Sequence, residues 1–237
     1  PRPGEVGHET WLNDAWQTTG DVSSWAPMSA DQERGIVYIP TNPPTIDYFG
    51  GFRPGNNLFG TSVIALNAET GERVWHFQTV HNDQWNYDIP NVPIIVDLDV
   101  DGRAVSAVVQ TSKTGMIYAF DRESGEPIWP IEEKPVVQTV VPGNWTAETQ
   151  PIPTRPESAE PFGLPEKDVI DFTPEMHAEA LEIISRYQVG GPFMPRLYDD
   201  HSTGFEDNIR CYGGLNITNP ATLDPSTGIL YMASARR

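Results

Sequence analysis

The sequence predicts an all-β fold, a partial β-propeller of about two and a half four-stranded blades with one inserted helix. Three observations predict it. A tryptophan-ended motif occurs twice, 54 residues apart. A second hairpin motif lies before the first copy and again near the end of the chain. The 237 residues hold 23 prolines, 20 glycines and 7 tryptophans, a composition of many turns and many aromatic anchors. A repeat of that length is in the range of propeller blades.

The tryptophan motif is Ile64-Ala-Leu-Asn-Ala-Glu-Thr-Gly-Glu-Arg-Val-Trp75, matched by Tyr118-Ala-Phe-Asp-Arg-Glu-Ser-Gly-Glu-Pro-Ile-Trp129. Each copy reads as strand, tight turn, strand. Asn67 or Asp121 opens the turn, and Gly71 or Gly125 takes the left-handed conformation that a hairpin needs. Trp75 and Trp129 are expected to be buried at equivalent places between blades. Residues 28–38 and 222–231 share an aspartate, glycine, tyrosine order and read as a second hairpin type. Between the tryptophan hairpins, residues 93–97 and 104–110 flank an Asp101-Gly102 turn, another hairpin signal. Asp97-Leu-Asp-Val-Asp-Gly102 imitates a calcium loop, but the twelfth position, which needs a glutamate, is Val108, so the run is read as a turn. A radial array of so few blades cannot close, and the chain opens Pro1-Arg-Pro without an initiator methionine. A piece of a longer polypeptide is expected, one propeller segment over 1–237.

Residues 132–219 interrupt the pattern as a proline-rich insertion. Through Pro165 it reads as an extended crossing. A helix is expected near 174–188, capped by Thr173, with Pro174 in its first turn and Gly190 past its end. Met176, Ala180, Ile183, Ile184 and Tyr187 give it an apolar stripe at helical spacing, which suits a structural role.

Charge and composition exclude several classes of function. Fifteen basic residues against 33 acidic ones leave a net charge of −18, which argues against nucleic-acid binding. The single Cys211 cannot form an internal disulfide. No apolar run approaches the roughly 20 residues that cross a bilayer. Asn144-Trp-Thr146 and Asn216-Ile-Thr218 fit a glycosylation sequon, a pattern common by chance.

The chemistry concentrates in His81-Asn-Asp-Gln-Trp-Asn-Tyr-Asp-Ile-Pro90 and the following Thr111-Ser-Lys-Thr-Gly115. Imidazole, carboxylate and carboxamide groups beside aromatics, with a lone lysine at a hairpin mouth, suit a site for a flat polar ligand. Gly213-Gly214 before Asn216 would allow a backbone to approach a ligand closely.

These segments, with Gly7-His-Glu-Thr-Trp11, Tyr48-Phe-Gly-Gly51 and Asp171-Phe-Thr-Pro174, resemble the pyrroloquinoline-quinone (PQQ)-dependent dehydrogenases. The branch they resemble most is the membrane-bound quinoprotein glucose dehydrogenases. The resemblance implies an eight-bladed propeller that holds PQQ near its axis with a divalent metal, calcium or magnesium. It implies oxidation of a sugar or alcohol, with electrons passed to a quinone or cytochrome acceptor. It also implies a periplasmic location, anchored to the inner membrane by a segment outside this sequence. Residue by residue, Trp25 matches the tryptophan that stacks on the quinone, Lys113 the cation beside the quinone oxygens, and Asn216 an asparagine on the cofactor. The metal ligands are expected outside this segment.

One position departs from the family. Its aspartate base follows the tryptophan of the His-x-Asp-x-Trp segment, where this chain has Asn86, a neutral carboxamide. Side chains alternate along an extended segment, so neither Asp83 nor Asp88 is expected simply to replace it. A non-catalytic or degenerate propeller acting as a binding or assembly scaffold is therefore the alternative reading.

Overall fold

The computed structural model describes residues 1–159, 162–197, 204–205, 207–210, 213–215 and 221–236. Its first sheet is a four-stranded antiparallel meander. The strands are β1 (Ser29–Asp31), β2 (Ile36–Pro40), β3 (Ser62–Asn67) and β4 (Arg73–Gln78), paired in chain order. The second sheet joins β5 (Ile94–Val100), β6 (Arg103–Thr111) and β7 (Ile117–Asp121) in the same manner. Each expected turn forms. Asn67 Oδ1 accepts from the backbone of Glu69 and Thr70, Asp121 Oδ1 from Glu123 and Ser124, and Gly71 and Gly125 take φ of 72° and 76°. Asp101 and Gly102 turn β5 into β6, both at positive φ, as a two-residue hairpin requires.

The fourth strand of the second sheet is reduced to a bridge. The bridge of Phe120 with Pro127 and the bonds from Asp121 N to Glu126 O, at 2.8 Å, and from Ile128 N to Ala119 O, at 2.9 Å, continue the ladder. The reason is in the sequence. Pro127 and Pro130 stand where the first copy has Arg73 and His76, and proline has no N–H to donate.

Packing follows the two-residue period of the strands. Tyr118 and Phe120 on β7 face the first sheet, while Ile117 and Ala119 face away, so the second sheet is buried on both sides. Trp75 fills the space between the sheets. Its ring lies 5.8 Å from Tyr38 and 5.6 Å from Phe120, and its Nε1 donates to Arg122 O. A Cβ on Gly125 would stand 2.6 Å from that ring, so the turn of the second motif must be glycine for contact as well as for φ. Arg122 closes the interface by pairing Asp31 on β1 and Asp97 on β5. Trp129 is half-buried rather than buried. It packs at the edge of the cluster of Val96, Ala107, Val109, Ile117 and Ala119, the same cluster that receives Leu223 and Leu230 from the hairpin of β13 (Thr222–Asp224) and β14 (Ile229–Tyr231).

The insertion is more structured than an extended crossing. It opens with an antiparallel pair, β8 (Ile131–Pro135) and β9 (Thr149–Pro153). The helix α1 (Pro174–Ile184) starts as expected, with the Thr173 hydroxyl accepting from Met176 N at 3.2 Å. It ends earlier than 188, at Ile184, and residues 187–190 form β10 (Tyr187–Gly190), parallel to β11 (Asp207–Arg210). Gly190 therefore lies in a strand, not at a helix cap. The apolar stripe of α1 is not buried, with Met176 and Ile183 both exposed. Two further short strands, β12 (Gly213–Leu215) and β15 (Ser234–Arg236), pair antiparallel.

Residues 81–90 cross between the sheets and are anchored by Asp83. This carboxylate is fully buried and accepts from the Thr61 hydroxyl at 2.8 Å, Trp85 N at 2.9 Å and Tyr87 N at 3.0 Å. Burial pushes its carboxyl up to about 6, against these donors and the Arg53 charge, which favour the ionised form. Arg53, also fully buried, donates to the carbonyls of Asp83 and Ile46 and to Asn57 Oδ1. The insertion grips the same segment from outside. Gln150 pairs with both backbone groups of His81, Gln84 bonds to Asn144 and Trp145 O, and Tyr87 and Trp85 donate to Pro192 O and Met194 O.

Two outcomes follow for the full-length protein. Trp75→Ala is expected to lower stability by roughly 3–5 kcal/mol, read from urea unfolding, because it empties the inter-sheet space; the carbonyl of Arg122 keeps the Tyr38 hydroxyl as a donor. Unchanged unfolding would refute the packing role. Asp83 has its pKa raised in the folded state, so its contribution is full below about 4, the unfolded value, and is lost as pH rises through about 6. The stability of wild type relative to Asp83→Asn is thus expected to fall across that window, and a rise would contradict the burial effect.

Candidate functional site

Lys113 sits at the tip of the loop between β6 and β7. The loop is folded by a bond of 2.6 Å between the Ser112 and Thr114 hydroxyls and by Gly115 at φ 80°. Its ammonium reaches Asn86 Oδ1 at 2.8 Å, Asn86 O at 3.1 Å and Asp88 Oδ2 at 3.3 Å. Asn86 itself is held at φ 63°, a conformation asparagine tolerates better than most residues, between Trp85 and Tyr87, whose N–H groups bond the Asp83 carboxylate. That geometry aims its carboxamide at both neighbours. Oδ1 accepts from Lys113, while Nδ2 donates to Asp47 Oδ2 at 2.8 Å.

Trp25 enters from the N-terminal segment, which is tied to the first sheet where Asn42 N donates to Ser23 O at 2.9 Å. Its indole Nε1 donates to Asp88 Oδ2 at 3.0 Å. Trp25, Asp88, Lys113, Asn86 and Asp47 are thus one continuous polar chain, drawn from four separate stretches of sequence.

Three of the four residues expected at the site, Trp25, Asn86 and Lys113, come together. Asn216 lies outside the described residues. Sequence reasoning missed two members. Asp88 was set aside because side chains alternate in extended chain, but residues two apart share a side, and Asp88 and Asn86 both reach Lys113. Asp47 lies in the long loop between β2 and β3, and no local pattern marks it. Its place is set from inside by Arg53, which binds the carbonyl of the preceding Ile46. Arg196 stacks over Tyr48, the next residue, with its guanidinium 4.6 Å from the ring centroid.

Asn86 is chemically matched to Asp47. An aspartate at position 86 would bring two carboxylates within hydrogen-bond distance, where one must take up a proton. The carboxamide avoids this by donating to Asp47 while still accepting from Lys113. Asn144, of the first sequon, spends its side chain on Gln84, Thr139 and the backbone of Gly50. His81 faces Gln78 and Glu133, away from the lysine. Among the described residues no group of three or more carboxylate, imidazole or thiol side chains could hold a metal ion. Among them, too, no helix is long and apolar enough to cross a membrane.

The chain is 32% identical over 232 residues to the glycerol dehydrogenase large subunit of Gluconobacter oxydans, covering 97% of this chain and 30% of that protein. It is 40% identical over 136 residues to the quinoprotein glucose dehydrogenase of Escherichia coli, covering 57% of this chain and 17% of that protein. Among solved structures, a quinohemoprotein alcohol dehydrogenase of Pseudomonas putida superposes with TM-score 0.55 at 23% identity, over 96% of this chain and 28% of that one. A europium-containing methanol dehydrogenase does so with TM-score 0.58 at 20% identity, over 98% of this chain and 33% of that one. These two likenesses show the fold, a segment of a propeller. The chain spans about a third or less of the length of the relatives it matches. The family model of the PQQ glucose/ethanol/alcohol dehydrogenase β-propeller domain matches residues 1–237, and the chain belongs to that family.

Proposed function

We propose that this chain is the quinone-binding segment of a PQQ-dependent dehydrogenase that oxidises a CH–OH group of a sugar or alcohol. Its electrons would pass to a quinone or cytochrome acceptor, and the protein would work in the periplasm. The observation that carries the reading is the convergence of Trp25 and Lys113 on the shared carboxylate Asp88.

The residues present fit a flat quinone. Trp25 is 46% exposed, so with Nε1 held by Asp88 its indole leaves a face open for stacking. Lys113 brings a positive charge, partly shielded from water, to the same place. Trp25 and Lys113 would hold the cofactor, Trp25 against its plane and Lys113 against an oxygen on which negative charge develops. The quinone, when bound, supplies the two-electron oxidant. Asn86 orients Lys113 through two oxygens and is itself steadied by Asp47. The Arg53 and Asp83 anchors keep this geometry rigid, so little reorganisation is needed when charge appears. Asn86 also supports a second reading, a degenerate propeller that serves as a scaffold, because a neutral carboxamide cannot act as a base.

In full-length protein, Trp25→Ala and Lys113→Ala are each expected to weaken PQQ binding by roughly tenfold or more, about 1.4 kcal/mol, in a fluorescence titration. Lys113→Ala is also expected to lower kcat by roughly 10²–10³ on a panel of sugars and polyols. A folded wild-type protein that binds no PQQ would instead support the scaffold.

A further inference from the structure

Oxidising an alcohol to a carbonyl breaks two bonds. The C–H bond gives up its electron pair with hydrogen to the oxidant, here a quinone, and the O–H bond gives up a proton that some group must accept. Most of the polar chain cannot do this. An indole N–H only donates, a lysine ammonium has no lone pair, and a carboxamide is too weak a base. Both ends of the Asn86 side chain are engaged in any case. Two carboxylates are left, Asp47 and Asp88.

We propose that Asp88 is the catalytic base, accepting the hydroxyl proton as the adjacent hydride leaves for the quinone; this rests on the function proposed above. One observation separates it from Asp47, and two more suit it to take a proton. The Asp88 carboxylate touches both Trp25, at 3.0 Å, and Lys113, at 3.3 Å, so it borders the place where the oxidant would lie. Asp47 reaches Lys113 only through Asn86. In Asp88, Oδ2 takes both contacts and Oδ1 accepts no hydrogen bond among the described residues, which leaves a lone pair for a substrate hydroxyl. Its side chain is 15% exposed, open to a small alcohol yet largely screened from bulk water.

The contact with Lys113 gives Asp88 a second property. The ammonium is shared among three acceptors, and Asp88 holds the longest contact. An oxygen of the cofactor arriving at Lys113 would therefore come up against the same carboxylate.

The test uses the full-length protein loaded with PQQ and a panel of sugars and polyols. Asp88→Asn is expected to lower kcat by roughly 10²–10⁴, to abolish the acid limb of the kcat/KM profile, and to keep PQQ affinity within about threefold. Asp47→Asn is expected to lose much less. The proposal is overturned if Asp88→Asn turns over within tenfold of wild type, if its PQQ affinity falls in step with its activity, or if Asp47→Asn suffers the larger loss. Should Asp88→Asn fail to fold, Asp88→Glu decides. A displaced acid limb with residual turnover supports the base, and an unmoved limb overturns it. Wild type that turns over while Asp88→Asn is unaffected rejects the base alone. Wild type that binds no PQQ rejects the function itself, and the base with it.

Discussion

A buried arginine and a buried aspartate hold the site in shape. Arg53 joins the carbonyl before Asp47 to the carbonyl of Asp83, and the Asp83 carboxylate folds the next four residues around itself. Both loops that meet at Asn86 therefore depend on one buried cation and one buried anion. Removing the Arg53 side chain would take a donor from the carbonyls of Ile46 and Asp83, and removing the Asp83 carboxylate would free the N–H groups of Trp85 and Tyr87. Neither charge reaches solvent, so their role is to fix backbone rather than to touch a ligand.

The sheets serve this arrangement in a simple way. Trp75, Tyr38 and Phe120 bond two blades face to face, and Arg122 ties their strands across the same boundary. Stacking brings the end of β6, with Lys113 just beyond it, against the segment that carries Asn86 and Asp88. The insertion adds a third support, since Gln150, Asn144 and residues 192–194 all bond to residues 81–87. An interruption of the repeat thus becomes part of the wall behind the site.

The departure at Asn86 fits its surroundings. With Asp47 at 2.8 Å, a carboxamide supplies one donor and one acceptor where a second carboxylate would repel the first. The loss of a negative group at one position is accompanied by two carboxylates at its borders, Asp47 and Asp88. The local chemistry has been rearranged rather than erased, and this makes the position alone a poor guide to whether the protein works.

Much was legible in the sequence because it is governed by short-range rules. The two turns at Asn67 and Asp121, the Asp101-Gly102 hairpin and the Thr173 cap are set by residues within a few positions of one another, and all form. The family was legible because its motifs survive as contiguous strings. Other features depended on what packs where. Trp129 repeats Trp75 in sequence yet is less buried, because it packs at the edge of one cluster rather than between the two sheets. The helix stops at Ile184 because residues 187–190 pair with a strand twenty positions away, which no local propensity announces. Asp47 and Asp88 joined the site only through the tertiary structure. A carboxylate acquires its role from the cation, donor and neighbour placed beside it, and Arg53, Trp25 and Lys113 reach that place from distant parts of the chain.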